Sequence, residues 1–180
     1  MNRLIIARHG ETIENGLNIC QGQDHGTLSE KGIRENEKLG EQLKQFSFQT
    51  IYSSPLNRAL QTAQAIHKHN NSSRIITDER LMERNLGVLQ GKAYPQPYFE
   101  TDIYEDMETI ESVAERSAAF LDEIRQNHNN ETIVLVSHGY IIKVMLALLR
   151  NLPLAEFSKI KLMNNSSYTT ESLNQIMQKG

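Results

Sequence analysis

The 180-residue chain has a single cysteine, Cys20. No internal disulfide can therefore tie it, and such scarcity fits a reducing compartment. Long hydrophobic runs are missing too: the best, residues 144–149, has six residues, far below the roughly 20 a membrane-spanning helix needs. The apolar stretch near the N-terminus is broken by Arg8 after four residues, so a secretory signal is not expected and a cytoplasmic address is. Charge of one sign is not in excess, with 19 Lys plus Arg against 22 Asp plus Glu and a net charge of −3. The basic residues are scattered rather than gathered in a stripe, which argues against nucleic acid or a membrane surface as partner. No repeat, low-complexity tract or linker divides the chain. Its length suffices to bury a core without metals or disulfides, so one domain over residues 1–180 with a single site is expected. Nothing in this pattern reports an oligomeric state.

What is present is an alternation. Apolar, β-branched runs recur at residues 4–7, 50–52, 74–77 and 132–136, with helix-period segments between them. The first such segment covers residues 29–46. The second opens at "SSPLNRALQTAQAI", where Ser54 can cap and Pro55 takes the first helical position, whose N–H would be unpaired anyway. The third is expected to open near Ser112, because Ser112 and Glu115 have capping-box spacing. Strands alternating with helices predict an α/β fold: a three-layer αβα sandwich with a mainly parallel sheet covered on both faces. A polar final strand is expected within "LMNNSSYTTESL".

Two of the strand ends carry the same signature. "LIIARHGET" places Arg8, His9 and Gly10 where a buried strand stops, and "VLVSHGYIIKV" places His138 and Gly139 at an equivalent turn. In open α/β sheets the carboxyl rim of the strands is where ligands bind. Arg8, together with Arg58 early in the second helix, could converge there, and a guanidinium fork matches phosphate oxygens. Each Arg could equally pair with an acidic residue and hold loops in place. Glu83, in "LMERNLGVLQG", is a candidate carboxylate only through the company it keeps.

In order along the chain, "RHGET" followed by Asn15, "QG" at Gln21 and Gly22, "LSEKG", "YSSPLNRALQTA", "ERNLGVLQG" and "VSHG" resemble the histidine phosphatase superfamily, whose fold is phosphoglycerate-mutase-like. The resemblance implies that His9 is the nucleophile that becomes phosphohistidine. It implies that Arg8, Arg58 and His138 bind the phosphoryl group, and that Glu83 is the proton donor. Asn15, Gln21, Gly22 and Gly139 fall at positions that line the phosphate pocket. The expected activity is metal-independent hydrolysis of a small-molecule phosphate monoester, with no cofactor. The chemistry agrees, since phosphoryl transfer needs mainly positioning and charge stabilisation around the transferred oxygens. Nearby guanidinium charges should keep His9 unprotonated.

Rival readings differ at identifiable residues. A phosphoglycerate mutase grips its substrate carboxylate with adjacent arginines, but no Lys or Arg lies between Lys92 and Arg116. An inactive regulatory module on the same fold would have lost catalytic residues that are all present here. A cysteine phosphatase would place Arg where Gly26 stands, and "GVLQGKA" is one residue short of a P-loop and ends in Ala93. Two His and a Glu could bind zinc, although the adjacent Arg8 would oppose a dication. Residues 100–111 hold six acidic residues, and four of the eleven aromatics, Tyr94, Tyr98, Phe99 and Tyr104, fall nearby. The resemblance makes residues 92–111 a lid, and an acidic, aromatic lid suits a monoester with an apolar or ring-bearing alcohol. Gln90 stands where phosphatase relatives often have Glu, and Tyr140 is a bulky neighbour of the second His-Gly pair that could narrow the pocket.

Overall fold

A computed structural model describes residues 2–173; residues 1 and 174–180 lie outside the described part. β1 (Asn2–Arg8), β2 (Thr50–Ser53), β3 (Arg74–Thr77), β4 (Thr132–Ser137) and β5 (Tyr168–Leu173) form one five-stranded sheet in the order β3-β2-β4-β1-β5. The first four run parallel, and β5 joins antiparallel along β1. Between them come a single turn, α1 (Ile13–Gly16), and four longer helices: α2 (Glu30–Leu43), α3 (Asn57–His69), α4 (Ile110–Asn127) and α5 (Gly139–Leu149).

The three layers follow from the two-residue period of a strand. Leu4 and Ile6 of β1, with Ile133 and Leu135 of β4, pack on α4 and α5. Ile5 and Ala7, with Val134 and Val136, face the other way onto Leu39 and Leu43 of α2 and Ala59, Ala63 and Ile66 of α3. A strand buried on both faces has no polar alternation to show, which is why these runs are continuously apolar.

Two helix starts differ from the sequence expectation. α3 begins at Asn57, and Ser54 does not cap it. The Ser54 hydroxyl accepts from Leu56 N, one residue short of the helix, and lies 2.8 Å from His138 Nε2, while the first free N–H groups of α3 reach His25, with Arg58 N donating to its carbonyl and Asn57 N to its Nδ1. α4 begins at Ile110, one turn before Ser112 needed to start it, because Thr109 accepts from Ser112 N at 3.2 Å. Ile110 then packs against the core, while Ser112 Oγ turns to Glu108.

Pairing register aligns three strand ends at one rim. Arg8 sits opposite Ser137, and Ser53 opposite Val136. His9, Ser54 and His138 therefore leave the sheet side by side.

Candidate active site

His9 is held from all sides. Its N–H donates to the Ser137 carbonyl at 3.0 Å, and its own carbonyl accepts from Ser166 N and from Asn165 Nδ2. Gly10 next to it donates to Thr62 Oγ1, and a Cβ there would lie 2.6 Å from Asn36 Nδ2, so a larger residue would displace the Asn36 amide. The His9 ring Nδ1 lies 2.7 Å from the Gly10 carbonyl. A carbonyl only accepts, so Nδ1 carries the proton and Nε2 keeps its lone pair. Burial, then the charges of Arg58 and Arg8, holds the ring well below the ordinary histidine range. His9 is a neutral imidazole with one uncommitted nitrogen.

Arg8, His9, Asn15, Gln21, Gly22, Arg58, Glu83 and Gly139 all line one cavity of about 110 Å³ at the rim. Arg8 donates from Nη1 to the Met163 carbonyl at 2.6 Å, yet its Nε is buried with no hydrogen-bond partner among the described residues, and so is Gln21 Oε1. Leaving a buried charged donor unmatched is costly, so this nitrogen is a donor suited to an acceptor that enters the cavity. Arg58 is pushed down to about 10, mainly by burial. Its guanidinium donates to the carbonyls of Asp24, His25 and Gly22, which locks the 22–25 loop around it. Asn15 completes a capping box with Thr12 at α1, and its Oδ1 also accepts from Asn165 Nδ2.

His138 is placed differently from its partner. It is fully buried behind the cavity wall, 5.1 Å from the His9 ring centroid to centroid. Arg58 Nε donates to its Nδ1 at 3.1 Å, so the ring proton sits on Nε2 and points to Ser54 Oγ. Both ring nitrogens are thereby engaged by protein, and His138 orients Arg58. Burial, followed by the Arg58 charge, holds it below the ordinary histidine range as well.

Glu83 reaches the cavity from the segment that precedes residues 92–111. Its carboxylate accepts from the N–H groups of Arg84, Tyr140 and Ile141. The last two belong to the first turn of α5, whose N-cap His138 offers no side-chain acceptor. Glu83 thus caps α5 from another element, and the positive end of that helix holds the carboxylate in place.

Arg84 and Arg116 escaped the reading of the sequence. Arg84 is fully buried and donates to the carbonyls of Glu108, Glu100 and Asp102, with its guanidinium 4.8 Å above the Tyr140 ring. Arg116 of α4 grips the Glu108 carboxylate and the carbonyls of Arg80, Met82 and Glu83. Together they tie residues 100–108 to the Glu83 segment. Tyr94, Tyr98 and Glu100 consequently stand on the cavity wall beside Tyr140. Among the described residues no group of three His, Cys, Asp or Glu side chains is placed to hold a metal ion.

The profile of the histidine phosphatase superfamily, branch 1, matches residues 4–175. The chain belongs to the histidine phosphatase superfamily. Among relatives of this superfamily member, the phosphatase PhoE of Bacillus subtilis is 33% identical over 81% of this chain and 76% of its own length. Phosphoserine phosphatase 1 of Hydrogenobacter thermophilus is 30% identical over 94% of this chain and 85% of its own. A mycobacterial glucosyl-3-phosphoglycerate phosphatase, solved with VO3, superposes with a TM-score of 0.86 at 29% identity, covering 94% of this chain and 90% of that one. Phosphoglycerate mutase-like proteins are also similar. The likeness supports phosphatase activity within the superfamily, and the three-layer sandwich is the superfamily fold.

Proposed function

We propose that this histidine phosphatase superfamily member hydrolyses small phosphate monoesters through a phosphohistidine on His9, without a metal or other cofactor. One observation carries the reading: a neutral, buried imidazole with a free Nε2 shares its cavity with Arg8, whose Nε is buried and unmatched. A phosphoryl oxygen supplies the missing acceptor, and the phosphorus then lies before the nucleophile. His9 Nε2 attacks phosphorus as the bond to the ester oxygen breaks, and Glu83 gives its proton to the departing alkoxide. Water then attacks the phosphohistidine, Glu83 takes a proton from it, and the P–N bond breaks to release phosphate. Arg8 and Arg58 stabilise the charge that develops on the equatorial oxygens, with His138 holding Arg58 in line.

Hydrolysis is favoured over mutase transfer by the absence of any Lys or Arg between Lys92 and Arg116. A retained phosphoglycerate needs cations for its carboxylate. The lone, buried Cys20 suits a reducing, cytoplasmic setting.

The purified protein should hydrolyse p-nitrophenyl phosphate and short alkyl phosphates equally well with and without a chelator. His9→Ala should abolish turnover and the acid-labile phosphoenzyme together. Loss of activity in chelator with recovery in zinc or magnesium would overturn the scheme, as would near-normal turnover by the alanine variant.

A further inference from the structure

The rest of the cavity wall, beyond the residues already described, is made of aromatic rings, Leu86, Leu162, Arg84 and one acid. Tyr94, Tyr98 and Tyr140 line it, and of the six acidic residues in 100–111 only Glu100 does. A carboxylate is an odd neighbour for a phosphate dianion, so its presence calls for a reason. Glu100 is also held deliberately. One oxygen meets Nζ of Lys143, a lysine whose side chain is 4% exposed on α5. Among the described residues, no donor reaches the other oxygen.

The cations around this wall are already engaged. Arg84 sends its guanidinium N–H groups into the carbonyls of Glu100, Asp102 and Glu108 and lays its face on Tyr140. Lys143 is spent on Glu100 and the Ser158 carbonyl. A second negative group on the substrate would therefore meet the Glu100 charge beside an Arg84 whose Nε, Nη1 and Nη2 already each donate to a carbonyl. A positive group would find an open carboxylate oxygen and ring faces, which attract cations through their quadrupole. Burial raises the hydroxyls of Tyr98 and Tyr140 to about 12, so these rings stay neutral.

Resting on the phosphatase reading above, we propose that the site selects a phosphomonoester of a short amino alcohol, with Glu100 receiving the ammonium group and Lys143 fixing Glu100 as a positioning residue.

The test compares kcat/KM for three esters of similar size: ethanolamine phosphate, propyl phosphate and phosphoglycolate, bearing an ammonium, no charge and a carboxylate beyond the phosphate. The wild type should prefer the ammonium ester over the carboxylate ester at least tenfold. Glu100→Gln should bring the ammonium and neutral esters to near parity. Lys143→Gln, which releases the Glu100 carboxylate from its anchor, should narrow the ammonium preference toward that of Glu100→Gln, and an unchanged preference in this variant would remove the positioning role of Lys143. A wild-type preference for the neutral or carboxylate ester, or an unchanged ratio in Glu100→Gln, overturns the assignment even if p-nitrophenyl phosphate is turned over. Failure on all three esters and on p-nitrophenyl phosphate overturns the phosphatase reading along with it.

Discussion

Glu83 accepts three backbone N–H groups, so its position is set by the start of α5 rather than by its own flexible stem. That rigidity suits a group that must meet the ester oxygen. If it protonates the leaving alkoxide, Glu83→Gln should slow an alkyl phosphate by about 10²–10⁴. A nitrophenolate departs unaided, so the same variant should release one equivalent of nitrophenol in a burst and then stall as phosphohistidine awaits a base. Rapid-quench assays on both esters check this; equal losses with no burst would make Glu83 a structural cap. At this scale Arg8 and His9 were legible, because a cationic pair closing a buried run advertises a rim. Glu83 was reachable only through family resemblance. Arg84 carried no signal, since its partners are carbonyls of residues 100, 102 and 108 and any residue type offers a carbonyl.

α2 begins against the turn that follows His9, and Gly32 makes this contact. A Cβ there would lie 2.1 Å from the Glu11 carbonyl oxygen. Alanine improves helix propensity by about 1 kcal/mol, but a backbone carbonyl cannot rotate away and overpacking costs about 1–3 kcal/mol. Gly32→Ala should therefore lower stability by roughly 1–2 kcal/mol and reduce kcat/KM, since Glu11 is two residues from His9. Gly16→Ala, with nothing within 4 Å of the new Cβ, should be neutral. Denaturant midpoints with activity on the same samples separate the two. The four parallel strands and the longer helices were readable from apolar period, and Ser29, where the first helical segment was placed, accepts from Gly32 N. The starts of α3 and α4 were not, because Ser54 answers to a histidine 84 positions away and because Thr109 and Ser112 offered the same local chemistry. Only the packing of Ile110 separates them.

Taken whole, the molecule buries two histidines in a field of arginine, and its acid stability should show it. His9 and His138 both have folded values depressed by burial and by Arg58. The unfolded chain takes up protons near pH 6.5 that the folded one refuses, so stability is full above that pH and falls as pH drops toward the folded values. Each histidine contributes at most about 1.4 kcal/mol per pH unit. Urea midpoints should therefore fall between pH 7.5 and 5.0, above the range where carboxylates titrate, and His9→Asn should remove up to half of the slope. A flat profile in the wild type would show that neither ring is held neutral.

The sheet order has one more consequence, and it concerns time. β1 is made first but lies between β4 and β5, so the apolar strand ending at Arg8 has no hydrogen-bonding neighbour until residue 132 has been added. At about 5–20 residues per second, that is a wait on the order of 6–25 s during which Leu4, Ile5, Ile6 and Ala7 are exposed to whatever else is sticky. Arg8 finds its carbonyl only at Met163, and His9 its carbonyl donors only at Asn165 and Ser166. The surroundings of His9 thus cannot be completed on a nascent chain until residue 166 has been added.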